Sequence, residues 1–251
     1  MTIKRTGVLV YGLACYAIFF ATFLYAIGFV GNLIVPKSMD AEAQMPLITA
    51  LVIDLLLLGI FALQHSIMAR PAFKRWWTKM VPESAERSTY VLFSSLALIA
   101  LFYFWQPLGG VVWSVENQIA AALLWAGFAF GWTLVLVSTF LINHFDLFGL
   151  RQVWLNFRGV KYAHLKFATP GPYRFVRHPL YLGWFFAFWC IPTMTVTHLV
   201  FAVMTTAYIL IAIQLEERDL ITALGEDYRS YRERVPMILP IGGGKPPAAH
   251  A

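Results

Sequence analysis

Four predominantly apolar stretches, at about 8–30, 47–69, 89–105 and 119–142, are each long enough to cross about 30 Å of hydrocarbon. A fifth, at 180–214, is too long for one helix and is divided at Pro192-Thr193, so it reads as a helical hairpin with two rather short legs. In lipid every backbone polar group must be satisfied within the chain, so spans of this kind are helices. The expected fold is therefore all-α and integral to a membrane: a bundle of about six transmembrane helices, four single spans plus the C-terminal hairpin. A composition 59% hydrophobic and only 13% charged agrees, since a soluble core needs far less apolar sequence. Helices packed side by side form one bundle, so a single domain over residues 1–240 is expected. The opening Met1-Thr2-Ile3-Lys4-Arg5 precedes an apolar run that is too long for a signal peptide and has no small-residue cleavage site; it reads as a retained first span.

Charge fixes an orientation. With six crossings, the segments before the first span, at 70–88, at 143–178 and after 214 share one side, and they hold every lysine and arginine except Lys37. The positive-inside rule makes that side cytoplasmic, which places both termini there and the protein in a bacterial inner (cytoplasmic) membrane as a multi-pass protein with lipid as its surroundings. A net charge of +6 could suggest nucleic acid, but the topology accounts for it and no nucleic-acid motif is present. Beyond the last span, Leu220, Ile221, Leu224, Tyr228, Tyr231 and Val235 recur at helical spacing among Arg229, Arg232, Glu233 and Arg234, predicting an amphipathic cytoplasmic helix. Residues 241–251 have almost nothing to bury and are expected to be a disordered tail. Cys15 and Cys190 lie in apolar runs and read as small fillers; no metal is expected.

Two short stretches carry chemistry. Arg177-His178-Pro179-Leu180-Tyr181-Leu182-Gly183, after Thr169-Pro170-Gly171-Pro172-Tyr173-Arg174, puts a proline at the first turn of a helix with His178 at its cap. Free N–H groups, the helix dipole and Arg177 would together attract an anion; alternatively, Arg177 anchors the helix among lipid headgroups. Glu216-Glu217 lies where the last span leaves the membrane. Paired carboxylates there could hold an ammonium or ribose hydroxyls, or be ordinary solvated acids.

Taken together, Arg-His-Pro-x-Tyr-x-Gly, an apolar hairpin, Glu-Glu, Gly225-x-x-Tyr228-x-x-Tyr231 and Val235-Pro236 to Pro240 resemble the isoprenylcysteine carboxyl methyltransferase and phospholipid methyltransferase superfamily over roughly residues 169–240. The resemblance implies S-adenosyl-L-methionine as cofactor, bound in a part of the chain at about 143–240. It implies cofactor contacts from Tyr173, Arg177, His178, Tyr181, Leu182, Glu216 and Glu217. Leu224 departs from the pattern, which often has Phe before the glycine, and this changes packing only.

Gln64-His65-Ser66-Ile67-Met68-Ala69-Arg70-Pro71, Glu86-Arg87-Ser88-Thr89-Tyr90 and Asn143-His144-Phe145-Asp146-Leu147-Phe148-Gly149-Leu150-Arg151 resemble a bacterial branch of this superfamily that methylates a small apolar thiol, methanethiol, to dimethyl sulfide. Polar clusters near the cytoplasmic ends of two spans are costly and functional by default. An alkyl thiol is mostly protonated at neutral pH, so a base is required. His144, oriented by Asp146, is expected to take the proton, with His65 the alternative base or a pocket wall, and Asn143 and Ser66 are expected at the substrate. Asp54 sits deeper and reads as a helix-packing residue. Two rival readings are an NADPH-dependent enzyme related to sterol reductases and a non-enzymatic membrane transporter or regulator.

Overall fold

The computed structural model describes residues 2–240; the tail expected at 241–251 lies outside the described residues. Among the described residues, five helices are long and apolar enough to cross a membrane: α1 (Thr2–Gly31), α2 (Leu47–Ala69), α4 (Glu83–Phe104), α5 (Gln118–Ile142) and α9 (Val196–Leu224). Shorter elements join them: α3 (Pro71–Trp77), strand β1 (Val111–Ser114), α6 (His144–Leu147), α7 (Leu150–Arg158), α8 (Pro179–Trp189), strand β2 (Thr193–Thr195) and α10 (Glu226–Arg234). The protein is thus a multi-pass, helical membrane protein. Leu47, Ile48, Val52, Leu56, Ile60 and Leu63 of α2 all stand exposed, as a face turned to lipid requires.

Where one domain over 1–240 is expected, the described residues group into two compact units: 2–114, Asn143–His164 and Thr193–Phe201 in the first, and Val115–Ile142, Leu165–Pro192 and 202–240 in the second. The segment 143–164 falls with the first unit because α7 packs on α1. There the Cβ of any larger residue at Gly12 would lie 2.6 Å from the Val153 side chain, so only glycine admits that approach. In the same unit β1 pairs antiparallel with β2, Ser114 opposite Thr193 and Val111 opposite Thr195. Asp54, fully buried, accepts the Gln106 backbone N–H at 2.8 Å, just beyond the end of α4.

In the second unit α8 runs antiparallel to α5 along a seam of small residues. A Cβ at Gly131 would lie 2.5 Å from the Ala187 backbone nitrogen and 2.7 Å from the Gly183 carbonyl oxygen, and one at Gly127 would lie 2.9 Å from the Cys190 sulfur. Such pairs let two helix backbones touch where lipid supplies no hydrophobic drive for association. The hairpin differs from expectation in its legs, which are unequal: α8 has 11 residues and α9 has 29. An 11-residue helix covers about 16 Å. The remainder of that leg is extended chain, tied by the Val115 N–H donating to the Pro192 carbonyl at 3.0 Å. Irregular backbone of this kind is tolerated at membrane depth where protein covers it, and Ile191 and Met194 are buried.

The amphipathic C-terminal helix is also corrected, being broken into the end of α9 and α10. Gly225 has φ +60, a left-handed value that favours glycine and ends α9. The apolar face survives the break: Tyr228, Tyr231 and Val235 form a buried cluster with Leu220, Ile221 and Leu224 against it.

Candidate functional site

The second unit gathers the Arg-His-Pro and Glu-Glu stretches into one polar group. Pro179 sits at N1 of α8, where its missing N–H costs nothing, and His178 is the N-cap. The two N–H groups just before the helix are satisfied by the chain's C-terminal segment: Arg177 N donates to the Pro236 carbonyl at 2.8 Å and His178 N to the Met237 carbonyl at 3.1 Å. From α9, Glu217 comes down onto this end. Its Oε1 accepts Arg177 Nε at 2.7 Å and the His178 Nε2–H at 3.0 Å, and Arg232 Nε stands 3.5 Å from its Oε2. Arg177 Nη1 also donates to the Arg232 and Val235 carbonyls at 3.0 and 2.5 Å. Glu217 and His178 are buried, 3% and 5% exposed. A buried carboxylate between cations is stable only when so paired, which makes this a rigid clasp joining α8, α9 and the C-terminal segment.

The other residues expected at the cofactor surround the clasp. Tyr181 Oη donates to Glu216 Oε2 at 2.9 Å, and Glu216 remains half-buried. The Tyr173 carbonyl accepts the Tyr231 hydroxyl at 2.6 Å; burial, reinforced by the Glu216 charge, pushes the Tyr173 phenol pKa up. Leu182 lies apart from the polar group and lines a wholly apolar cavity of about 460 Å³ with Phe130, Leu134, Phe175 and Pro179. A second, open cavity of about 620 Å³ is walled by Phe167, Leu224, Asp227, Tyr231 and Arg234. In the sequence Arg232 read as part of the amphipathic helix and Pro236 as part of the Val235-Pro236 to Pro240 motif, neither with a role at the site, and nothing marked Phe167 or Met237.

The first unit holds the residues expected at the thiol, in two places. His144, at the start of α6, is 2% exposed and boxed by aromatic rings, edge-on to Tyr16 at 5.7 Å and tilted over Phe148 at 4.7 Å. Its Nε2 shares a hydrogen bond of 2.8 Å with the Tyr16 hydroxyl. Burial lowers the His144 pKa from the ordinary 6.5, so the ring is neutral at neutral pH. Asn143 holds the strained φ of +94 that turns the chain from α5 into α6, and its side chain caps the Asp146 N–H at 3.0 Å. The Asp146 carboxylate accepts Arg151 Nη1 at 2.8 Å and the Tyr162 hydroxyl at 3.3 Å. Arg151 also stands over the Tyr162 ring, 5.1 Å from its centre. Burial, then the Asp146 charge, raises the Tyr162 pKa.

His65 forms a separate group on α2. Its ring nitrogens lie 2.9 and 3.1 Å from the Tyr90 hydroxyl, Nδ1 is 3.1 Å from Ser94 Oγ, and its face stacks on Phe61. Ser66 is half-buried, and its carbonyl accepts Arg70 Nε at 3.2 Å. No group of three or more metal-ligating side chains occurs among the described residues.

Comparison with known proteins joins these groups to a family. The profile of the isoprenylcysteine carboxyl methyltransferase (ICMT) family matches residues 131–222, which include both Arg177 and Glu217. A methanethiol S-methyltransferase of Crocosphaera subtropica is 58% identical over 97% of this chain and 95% of its own length. Proteins of that name from Mycobacterium tuberculosis and Bradyrhizobium diazoefficiens are each 52% identical, over 94% of this chain and 97% and 91% of their own lengths. No solved structure matches the chain. Identity of 52% or more over at least 94% of this chain establishes that the chain belongs to the family of the methanethiol S-methyltransferases.

Proposed function

We propose that the protein transfers a methyl group from S-adenosyl-L-methionine to the sulfur of a small thiol, methanethiol first among them, giving dimethyl sulfide. The observation that carries this reading is the clasp of Arg177, His178 and Glu217 at the N-terminus of α8, inside the segment that the family profile matches. The residues present suit the cofactor. It joins a nucleoside to an amino-acid zwitterion, and the second unit offers a helix N-terminus with Arg177 for a carboxylate and the half-buried Glu216 for an ammonium or ribose. The 620 Å³ cavity beside Phe167 and Tyr231 has the size and the aromatic wall for a base. Glu217, with both oxygens engaged, acts by holding Arg177 and His178, while Tyr173, Tyr181 and Leu182 shape the surroundings.

When bound, the cofactor supplies a methyl group on a sulfonium sulfur. The chain's own residues must present the thiol in line and remove its proton. A neutral, buried His144 is suited to accept that proton, with His65 as the alternative, Asp146 fixing the turn that carries His144, and Asn143 and Ser66 near the thiol. The polar groups belong to the cytoplasmic side of a bacterial inner membrane, with both termini in the cytoplasm. The lipid-facing apolar helices suit a substrate that partitions into the bilayer.

The test is twofold. Isothermal calorimetry of the purified protein should show binding of S-adenosylhomocysteine and none of NADPH, which a reductase would prefer. Headspace analysis should then show dimethyl sulfide formed from methanethiol only when S-adenosyl-L-methionine is present. NADPH binding without the first ligand would overturn the proposal.

A further inference from the structure

The base proposed for the thiol is almost sealed. His144 is 2% exposed, with Tyr16, Phe145 and Phe148 packed around its ring, whereas Tyr16 is half-buried and its hydroxyl stands 2.8 Å from His144 Nε2. Of this pair, Tyr16 is the more exposed residue. A phenol hydroxyl can donate to Nε2 while accepting from a second partner.

Resting on the reading of the protein as a thiol methyltransferase, we propose that Tyr16 is a catalytic residue that relays the thiol proton to His144. As the substrate sulfur attacks the methyl carbon, its S–H bond breaks and that proton passes to the Tyr16 oxygen. In the same motion the phenol's own proton moves to His144 Nε2. The S–H electron pair becomes the new S–CH3 bond, and the pair of the breaking sulfonium C–S bond stays on the methyl donor's sulfur. Tyr16 ends as it began, and His144 ends as an imidazolium that later releases one proton to solvent.

Surrounding groups support this assignment. Tyr16 is fixed by its own neighbours: it stacks on Phe20 at 6.3 Å and tilts against Phe19 at 6.0 Å, and Phe19 stacks at 3.9 Å on the Phe148 that faces His144. Of the titratable groups around the His144 turn, Asp146, Arg151 and Tyr162 are bonded to one another, and Cys15 on α1 is paired with Tyr11, while the hydroxyl of Tyr16 is bonded to the imidazole. Nothing in the local sequence marks this pairing, because the two residues are 128 positions apart.

Tyr16→Phe removes only the hydroxyl and keeps the ring packing. In the full-length purified protein it should bind S-adenosylhomocysteine as the wild type does and lose about a hundredfold in kcat/KM for methanethiol, the usual scale for proton transfer. The loss should shrink by about tenfold per pH unit up to the thiol pKa, as ionised thiol replaces the missing relay. An aromatic thiol already ionised in the assay should be methylated by Tyr16→Phe at near the wild-type rate. The Tyr16→Phe/His144→Ala double variant should be no slower than either single one, since both cut one path.

A Tyr16 that only steadies the His144 ring would give a loss that neither rising pH nor an ionised thiol repairs, and that result overturns the relay. So does near-normal turnover of methanethiol by Tyr16→Phe. Wild-type protein that methylates no thiol overturns the methyltransferase reading itself, and the relay falls with it.

Discussion

One carboxylate oxygen of Glu217 serves two donors, Arg177 Nε at 2.7 Å and the His178 ring at 3.0 Å. Glu217→Ala therefore leaves the Arg177 guanidinium with only the Arg232 and Val235 carbonyls and releases the N-cap of α8 together. Glu217→Ala and His178→Ala should each weaken S-adenosylhomocysteine binding by about 1–3 kcal/mol, the cost of a lost hydrogen bond in a desolvated site. Calorimetry reads this directly, and unchanged affinity in both would place the ligand elsewhere.

The seam between α5 and α8 makes a prediction about stability rather than binding. Gly131→Ala puts a methyl 2.5 Å from a backbone nitrogen that cannot yield, so it should cost about 1–3 kcal/mol as overpacking and lower the thermal midpoint in detergent. Gly59→Ala is the control: a Cβ at Gly59 meets nothing within 4 Å, and its midpoint should hold or rise slightly.

Orientation is tested by reporters. Fusions at the N-terminus and after Pro240 should both report cytoplasm, as the placement of every lysine and arginine except Lys37 requires. An external C-terminus would break the six-crossing topology.

As the proposed base, the imidazole of His144 would set a pH dependence with a definite sign. Burial lowers its pKa below 6.5, so the neutral form capable of accepting a proton dominates at and above pH 6.5 and is lost only as the pH falls further. The acid limb of kcat/KM should accordingly lie below pH 6.5. His144→Ala should remove that limb and lower kcat by about a hundredfold with little change in cofactor affinity. Asp146→Asn, which loosens Arg151 and Tyr162 but spares the imidazole, should fall between the two. If His65→Ala is the crippled variant instead, the base assignment moves to α2.

The long helices and the polar motifs were legible in the sequence because each is a local property. Apolar length marked α1, α2, α4 and α5 to within a few residues, apart from the first turns of α1 and α4, whose polar residues hide helix beneath a hydropathy threshold. The Arg177 to Gly183 and Glu216-Glu217 stretches were visible as motifs, and the structure brings Arg177, His178 and Glu217 into contact. The division of the hairpin at Pro192-Thr193 was legible, but the inequality of its legs was not: that α8 stops at Trp189 while α9 runs for 29 residues, with β2 between them paired to β1 some 80 positions earlier, emerges only in the folded chain. The Tyr16 partner of His144 and the Arg151 and Tyr162 partners of Asp146 are likewise products of tertiary packing. Gly225 was quoted as part of a motif, yet its role in breaking the amphipathic helix needed its backbone angle.

The unbroken run of α9 fixes where the Glu216-Glu217 pair meets the outside world. Counted from Val196, these carboxylates come about 30 Å along the helix, the thickness of the hydrocarbon layer, which in the proposed topology puts them at the lipid–water boundary of the cytoplasmic face. That boundary carries the surface potential of anionic lipid, about −30 mV on the cytoplasmic leaflet. A cofactor with one net positive charge is concentrated there by about threefold over its bulk level. The enzyme would then draw from an enriched surface layer, and changing the lipid charge or the ionic strength would shift its apparent cofactor affinity without altering a single contact in the protein.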